Sequence, residues 1–258
     1  MIYLGSVKQA LFDVRNVGWE WIRFLTDYLA IKRILISKIS LIEPKYKDEH
    51  AGISSKKYLD INYWLYENMR RIVALGLHKK KRKKLRILDI GTGTGYFPFI
   101  CKYYGHEAEA LDIPDNEMYN EIIRALNIKR YERYIYPFQA IAIERRYDLI
   151  TAYMICFNAH KRPNLWHIRE WEYFINSLYN NNLNPGGEVF LSFNVETPDE
   201  PISRKLLDHF SANNARIKGN TVYIKSDYKF NAERLNDPLP ILWTVEGLSE
   251  GGSKACLL

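Results

Sequence analysis

Three alternating glycines follow a short apolar run about one third of the way along the chain. Residues 85–90 read as a buried strand, and the run Gly91-Thr92-Gly93-Thr94-Gly95 follows it directly. Residues 96–101 then begin a helical pattern, in which Pro98 is tolerated because it lies in the first turn. A strand, a glycine turn and a helix form the ligand-binding corner of an open α/β sheet. The sequence therefore predicts a ligand site at residues 91–95.

The spacing of the glycines distinguishes between nucleotide ligands. The dinucleotide pattern G-x-G-x-x-G needs a glycine where this chain has Tyr96, and the Gly-Lys-Ser/Thr of a phosphate loop is missing. A second predicted strand, residues 107–112, ends in Asp112, which is placed to accept hydrogen bonds from ribose hydroxyls. Asp89 favours a ligand that carries positive charge, because a carboxylate repels a pyrophosphate. A ribose ligand with a cationic end and no phosphate points to S-adenosylmethionine.

The segment Asp-x-Gly-x-Gly-x-Gly at residues 89–95, with the acid that ends the second strand, resembles the first two motifs of the class I S-adenosylmethionine-dependent methyltransferases. The resemblance covers residues 57–228. It implies an α/β fold with a Rossmann-like, doubly wound, mostly parallel sheet of seven strands, of which only the last is antiparallel. A Gly219-Asn220 pair between two strand-like segments predicts a two-residue hairpin that fits this ending. The alternative is that the glycine turn only lets a helix pack closely on a strand.

The resemblance also implies which residues hold the cofactor. Gln139, just after the predicted third strand at residues 133–136, stands where the family usually has an aspartate that contacts adenine. The helix before the first strand often lies over the cofactor in this family, so Tyr58, Tyr63 and Trp64 are candidate lid residues, or they pack as ordinary core aromatics. The residues that the resemblance assigns to cofactor binding are Asp89, Gly91, Thr92, Gly93, Gly95, Asp112, Ile113, Gln139, Ala140 and Tyr153.

Catalysis by this family needs alignment of the acceptor, exclusion of water and, for many acceptors, a base. His160 follows the predicted fourth strand at residues 147–154, and an imidazole suits that task near neutral pH. Asn158 is a candidate for orienting the acceptor. The alternative for His160 is a histidine that caps a surface loop. His160 and His167 are two histidines without a third ligand, which is weak evidence for a metal, so we expect no metal site.

The acceptor is narrowed only by elimination. Residues 157–160 lack the Asp/Asn-Pro-Pro-Tyr/Phe pattern of amino-methylating DNA enzymes. The Pro-Cys nucleophile pattern of cytosine-C5 methyltransferases is also missing from the sequence. We expect an oxygen or nitrogen nucleophile on a small-molecule, sugar or lipid-linked acceptor. One alternative is an RNA methyltransferase that uses the basic run at residues 79–84, which otherwise reads as a solvated linker in a chain of net charge +7. Another is a protein that binds S-adenosylmethionine without catalysis.

The chain flanking this domain is predicted to be less regular. Residues 1–56 form an N-terminal helical extension, in which Trp21, Ile22, Leu25 and Leu29 fall at helical spacing. We expect that helix to pack on its own domain or on a second subunit in a homodimer. An interfacial membrane helix is the alternative, because tryptophans and cations mix there. Residues 57–76 form a helix with a buried stripe of Leu65, Met69, Ile72 and Val73. Residues 229–258 form a C-terminal tail.

Composition limits the remaining classes of protein. Apolar residues make up 47% of the 258 residues, which is ample for a packed core. Three scattered cysteines argue against a disulfide framework and fit a reducing compartment. No uncharged apolar run reaches about 18 residues, so we expect no membrane span. The sequence therefore predicts a soluble, cytoplasmic protein.

Overall fold

A seven-stranded sheet organises the protein. The computed structural model describes residues 19–47, 57–79, 83–158, 165–194 and 204–229. The strand order is β3-β2-β1-β4-β5-β7-β6, and only β7 runs antiparallel to its neighbours. The strands are β1 (Arg86–Ile90), β2 (Glu107–Asp112), β3 (Arg130–Glu132), β4 (Tyr147–Ile155), β5 (Leu183–Phe193), β6 (Arg216–Lys218) and β7 (Thr221–Ile224). The predicted mostly parallel sheet with an antiparallel last strand is confirmed, as is the hairpin at residues 219–220.

Helices cover both faces of the sheet. They are α1 (Trp19–Ile39), α2 (Glu43–Lys47), α3 (Ile61–Ala74), α4 (Tyr96–Tyr103), α5 (Glu117–Ala125), α6 (Ile168–Ser177) and α7 (Arg204–Ala212), with a 3-10 turn at Lys57–Leu59 and a π-helical turn at Leu178–Asn182. Successive residues of β1 point to opposite faces, as the period of a strand requires. Ile87 joins the core beneath α1, α3, α4 and α5, whereas Leu88 joins the core beneath α6 and α7. This is the doubly wound arrangement.

Helix α1 packs on the same core as the sheet. Ile31, Leu35 and Ile39 are completely buried on its inner side. Lys38 Nζ also donates to the carbonyl of Ala125 at 3.1 Å. The opposite side of the helix exposes large apolar residues, among them Leu29 at 62%. The inner stripe of α1 is therefore covered by its own chain.

Two local expectations are wrong. The third strand is β3 rather than residues 133–136, because its partner β2 ends at Asp112, which pairs with Glu132. A tyrosine-rich segment beyond that point has no parallel neighbour left, whatever its strand propensity. Val73 was expected in the buried stripe of α3 but is 41% exposed, while Leu65, Met69 and Ile72 are buried.

The length and hydropathy of a helix decide whether it can cross a membrane. Among the residues that the structure describes, no helix is both long enough and apolar enough to cross a bilayer.

Replacing Leu35 by alanine is expected to lower the free energy of unfolding by about 2–5 kcal/mol, because a fully buried leucine leaves a cavity. Leu29→Ala is the matched control on the same helix. It removes an exposed side chain and is expected to change the free energy by less than about 0.5 kcal/mol. Urea unfolding followed by circular dichroism measures both. An equally large loss for Leu29→Ala, increasing on dilution, would instead place a second subunit on the exposed side.

Candidate functional site

The glycine turn between β1 and α4 has an unusual backbone. Gly91, Gly93 and Gly95 all adopt positive φ angles, of 67°, 59° and 75°. At Gly95 the space is also tight, because a Cβ there would lie 3.2 Å from Ile123 Cγ1 and that side chain would have to shift. Glycine is the residue that adopts this conformation without strain. The turn can therefore bring the start of α4 against α5 and leave backbone amides facing the carboxyl end of the sheet.

Asp89 lies in β1 and is only 3% exposed. Its partner in the neighbouring strand β4 is Thr151, whose Oγ1 donates to Asp89 Oδ1 at 2.7 Å. Burial raises the pKa of Asp89 to about 6, and the hydrogen bond from Thr151 opposes that rise. The side chain is thus a carboxylate near neutral pH that is held in place on one oxygen.

Asp112 ends β2 and holds the glycine turn. Its Oδ2 accepts from the Gly93 N–H at 2.6 Å, and its Oδ1 accepts from the Ile113 N–H at 2.8 Å. Burial raises the pKa of Asp112 to about 6, and these two backbone hydrogen bonds oppose the rise. The charge of Asp112 also contributes to raising the pKa of Asp89, after the larger effect of burial. The two acids are therefore close enough to interact and lie at neighbouring strand ends.

An aromatic layer lies beside the turn. Tyr58 stacks on Trp64 with ring centroids 4.4 Å apart and meets Tyr119 edge-on at 5.3 Å. Tyr119 in turn is the nearest neighbour of Gly93, and Tyr96 Oη donates to the carbonyl of Tyr58 at 3.0 Å. Burial is the main cause that raises the pKa of Tyr58, and the charge of Asp112 adds to it. This layer therefore links the start of α3 to the glycine turn through Tyr119.

Two of the candidate lid residues, Tyr58 and Trp64, belong to this layer. Tyr63 is 48% exposed, and its ring meets that of Trp64 edge-on, with ring centroids 5.1 Å apart. The pattern of residues 57–76 identified the helix but not which of its aromatic side chains face the sheet.

Tyr153, in β4, is buried between the rings of Phe97 and Phe190, at centroid distances of 5.2 Å and 4.8 Å. The guanidinium carbon of Arg71, from α3, lies 4.0 Å from the centroid of the Tyr153 ring. Arg71 is not among the site residues that the sequence predicted. It follows Trp64 by seven residues, or two helical turns, and this spacing places it on the same side of α3 as the aromatic layer.

The chain after β4 is shaped by Asn194, which follows β5. Its Nδ2 donates to the carbonyls of Met154 and Ile155 at 2.8 Å and 3.0 Å, and lies 3.2 Å from Cys156 Sγ. Met154 adopts a φ of 52°, which is rare outside glycine, and the pairing of β4 with β5 shifts at this point. Backbone strain of this kind persists where surrounding contacts enforce it. Here the Asn194 amide enforces it, next to the segment expected to meet the acceptor.

Of the two candidate catalytic residues, the structure describes Asn158 but not His160. Asn158 is 2% exposed, and its carbonyl accepts from the Trp166 N–H at 3.1 Å. Its Oδ1 is buried and has no hydrogen-bond partner among the residues that the structure describes. His160 lies outside the described residues, as do residues 80–82 of the basic run. The role of both candidates stays a prediction.

The candidate adenine contacts lie in the loop between β3 and β4. Gln139 and Ala140 follow a turn at Phe138, whose φ is 59°, and both side chains are exposed. Ile113 and Thr92 are partly exposed next to Asp112 and the glycine turn. Within the described ranges no group of three or more potential metal ligands occurs. The structure thus brings together Asp89, Asp112 and Thr151 from neighbouring strands, whereas the side chains of residues 139–140 are exposed.

Comparison with known proteins returned structures but no sequence families. No family model matches the chain, and no curated protein matches it. Similar solved structures include a TehB-like SAM-dependent methyltransferase from Corynebacterium glutamicum, with 15% identity over 68% of this chain and 98% of that chain and a TM-score of 0.43. A ribosomal protein L11 methylase from Lactobacillus delbrueckii subsp. bulgaricus has 18% identity over 60% of this chain and 76% of that chain, with a TM-score of 0.39.

A third similar structure is an SAM-bound amino pentose methyltransferase from Micromonospora echinaspora. It has 19% identity over 51% of this chain, a TM-score of 0.38, and a match that spans 52% of its own length. Function is therefore inferred below from the geometry around Asp89 and Asp112.

The buried charge of Asp89 makes a prediction about stability. Its pKa is about 6 in the folded chain, whereas an unfolded aspartate titrates near about 3.9. Between these values the folded state holds a proton that the unfolded state has lost. The contribution of Asp89 to stability therefore falls as pH rises from about 4 and is least favourable above about pH 6.

Asp89→Asn removes that charge and keeps an oxygen that can accept from Thr151. We expect it to raise the free energy of unfolding by on the order of 2 kcal/mol at about pH 7.5 and to leave it nearly unchanged at about pH 4. The control Asp208→Asn makes the same change on the exposed side of α7 and should have little effect at either pH. Urea unfolding at the two pH values measures this. An Asp89→Asn variant that is less stable at both values would contradict the buried-charge assignment.

Proposed function

We propose that this chain is an S-adenosylmethionine-dependent methyltransferase. The observation that carries the proposal is the pair of acids Asp89 and Asp112, which lie at the ends of neighbouring parallel strands on either side of the glycine turn. Open α/β sheets bind ligands at this edge. Two carboxylates there favour a ligand that offers hydroxyl groups and positive charge.

The hydrogen bond from Gly93 argues against a phosphorylated ligand. In a dinucleotide site the amides of the glycine turn point at the pyrophosphate. Here the Gly93 N–H already donates to the Asp112 carboxylate at 2.6 Å. A phosphate in the turn would compete with that bond and would lie beside a negative charge. The turn is therefore held by the carboxylate of Asp112 and is not arranged to bind the phosphate of a ligand.

Each acid has a separate part in this proposal. Each carboxylate oxygen of Asp112 accepts one hydrogen bond from a backbone amide. A second lone pair on each oxygen remains to accept from ribose hydroxyls. Asp89, with one oxygen fixed by Thr151, attracts the cationic amino-acid end. Ile113, Gln139 and Ala140 are the residues that we propose flank the adenine.

When bound, S-adenosylmethionine would supply a methyl group on a sulfonium. The oxygen or nitrogen nucleophile attacks the methyl carbon in line, the carbon–sulfur bond breaks, and S-adenosylhomocysteine leaves. The chain contributes alignment and exclusion of water. We propose that the layer of Tyr58, Trp64 and Tyr119 helps to exclude water from the bound cofactor. We propose that the unpartnered Asn158 Oδ1 orients the acceptor by accepting from it, and that His160 takes the proton of the nucleophile.

We propose a small-molecule, sugar or lipid-linked acceptor. One observation lowers the case for RNA: Lys84 of the basic run pairs with Glu107 at 3.1 Å, so part of its charge is already compensated. An RNA methyltransferase would show RNA binding that weakens steeply with salt, since it releases counterions. A catalytically inactive binder would take up the cofactor without transferring its methyl group.

Asp112→Asn is expected to weaken S-adenosylmethionine binding by roughly 10- to 100-fold, because an amide has one acceptor oxygen where the carboxylate has two. It cannot keep both the Gly93 and the Ile113 hydrogen bonds and also accept from ribose. The matched control is Asp115→Asn, the same change on an exposed acid three residues on, which should bind normally. Isothermal calorimetry measures the dissociation constants. Equal weakening by both variants would count against the role of Asp112.

The test of the function has two stages. Calorimetry of the wild-type chain should give binding of S-adenosylmethionine and none of NAD. Incubation with methyl-labelled S-adenosylmethionine and fractionated cell extract should then transfer label to a low-molecular-mass or lipid fraction. Tight binding of NAD would overturn the cofactor assignment, and label in RNA would replace the proposed acceptor class.

A further inference from the structure

We infer that Arg71 binds the carboxylate of the methionine moiety of S-adenosylmethionine, so that helix α3 and strand β1 hold opposite charges of one amino-acid group. This inference rests on the function proposed above and names a specificity-determining residue of the same site. Arg71 lies outside the glycine turn and outside the motifs that indicate the cofactor.

The side chain of Arg71 is held in one orientation. Its guanidinium carbon lies 4.0 Å from the centroid of the buried Tyr153 ring, and its Nη1 donates to Asn68 Oδ1 at 3.0 Å. Asn68 is itself 4% exposed, and its Nδ2 donates to the carbonyl of Trp64 at 2.7 Å. An arginine stacked on a ring and fixed at one nitrogen keeps its other N–H groups in a plane, where they can meet a carboxylate with two parallel hydrogen bonds.

The guanidinium of Arg71 has the Tyr153 ring as a close neighbour, 4.0 Å away. Among the residues that the structure describes, Arg71 forms no ion pair with a carboxylate. Its neighbour in sequence, Arg70, pairs with Glu67 at 3.2 Å on the exposed side of α3. A partly buried guanidinium that stacks on an aromatic ring but lacks an anion has donors left for an anionic group of a ligand.

Arg71 also lies beside the acid that would bind the other charge. Burial is the main cause that raises the pKa of Asp89, and the positive charge of Arg71 partly opposes that rise. The same charge lowers the pKa of Tyr153, against the larger effect of burial. Thr151, which donates to Asp89, and Tyr153, on which Arg71 stacks, are two residues apart in β4 and therefore lie on the same face of the sheet. We place the ammonium of the amino-acid group toward Asp89 and its carboxylate toward Arg71.

The assignment to the cofactor follows from the division of the cleft. Asp112, with the glycine turn, is on the ribose side, so the amino-acid end of a bound nucleoside points toward Asp89 and β4. Arg71 reaches the cleft over Tyr153 of β4. A carboxylate on the methyl acceptor is the competing ligand for the same guanidinium, and the experiment separates the two.

The experiment measures binding of S-adenosylmethionine and of its decarboxylated analogue, which lacks only the carboxylate, to wild type and to Arg71→Gln. Wild type is expected to prefer S-adenosylmethionine by roughly 10- to 100-fold, and Arg71→Gln is expected to bind both ligands alike. Arg70→Gln is the matched control and should keep the wild-type preference. Affinity for 5′-methylthioadenosine, which lacks the whole amino-acid end, should be the same in all three proteins and reports an intact nucleoside site.

Continued preference of Arg71→Gln for S-adenosylmethionine would overturn the inference and leave the cofactor assignment standing. A wild-type chain that binds both ligands equally would also overturn it, and would assign Arg71 to an anionic acceptor. Failure of the wild type to bind any of the three nucleosides would instead overturn the proposed function. Should Arg71→Gln lose 5′-methylthioadenosine as well, Arg71→Lys decides: it keeps the charge without the planar fork and must show an intermediate preference.

Discussion

The hydrogen bond from the Gly93 amide to the Asp112 carboxylate ties together the parts of the site. It joins the turn after β1 to the end of β2, so the two neighbouring strands present their acids to one cleft. The bond needs a backbone at positive φ, which glycine supplies, and a strand that ends at residue 112. It also occupies the amide that a phosphate would otherwise take. The ligand class therefore follows from how the turn is held.

Burying two carboxylates near one another opposes folding, and the sheet is built to withstand it. Asp89 and Asp112 each have a raised pKa because burial disfavours their charged forms. The hydrogen bonds from Thr151, Gly93 and Ile113 offset part of that penalty. A cationic ligand offsets more of it when bound. Sites that keep such unfavourable charge are typical of functional clefts rather than of structural ion pairs.

The sequence predicted what depends on local spacing. The glycine turn, Asp89, Asp112 and the hairpin at residues 219–220 follow from short-range patterns, and the seven-stranded sheet follows from their resemblance to a known family. The third strand was misplaced because its position is fixed by where β2 ends and not by its own strand propensity. Arg71 was missed because helical periodicity gives the side of a helix that is polar but not which polar residue contacts Tyr153. Contacts between elements far apart in sequence decided both.

The central claim is that Asp89 and Asp112 must be ionised to bind S-adenosylmethionine. Calorimetric titration of the wild-type chain at about pH 7 and about pH 5 tests it directly, because the pKa of each acid is about 6 in the free protein. We predict that affinity falls on acidification by roughly tenfold for each carboxylate that must lose a proton. An affinity that is unchanged or increased at about pH 5 would contradict it.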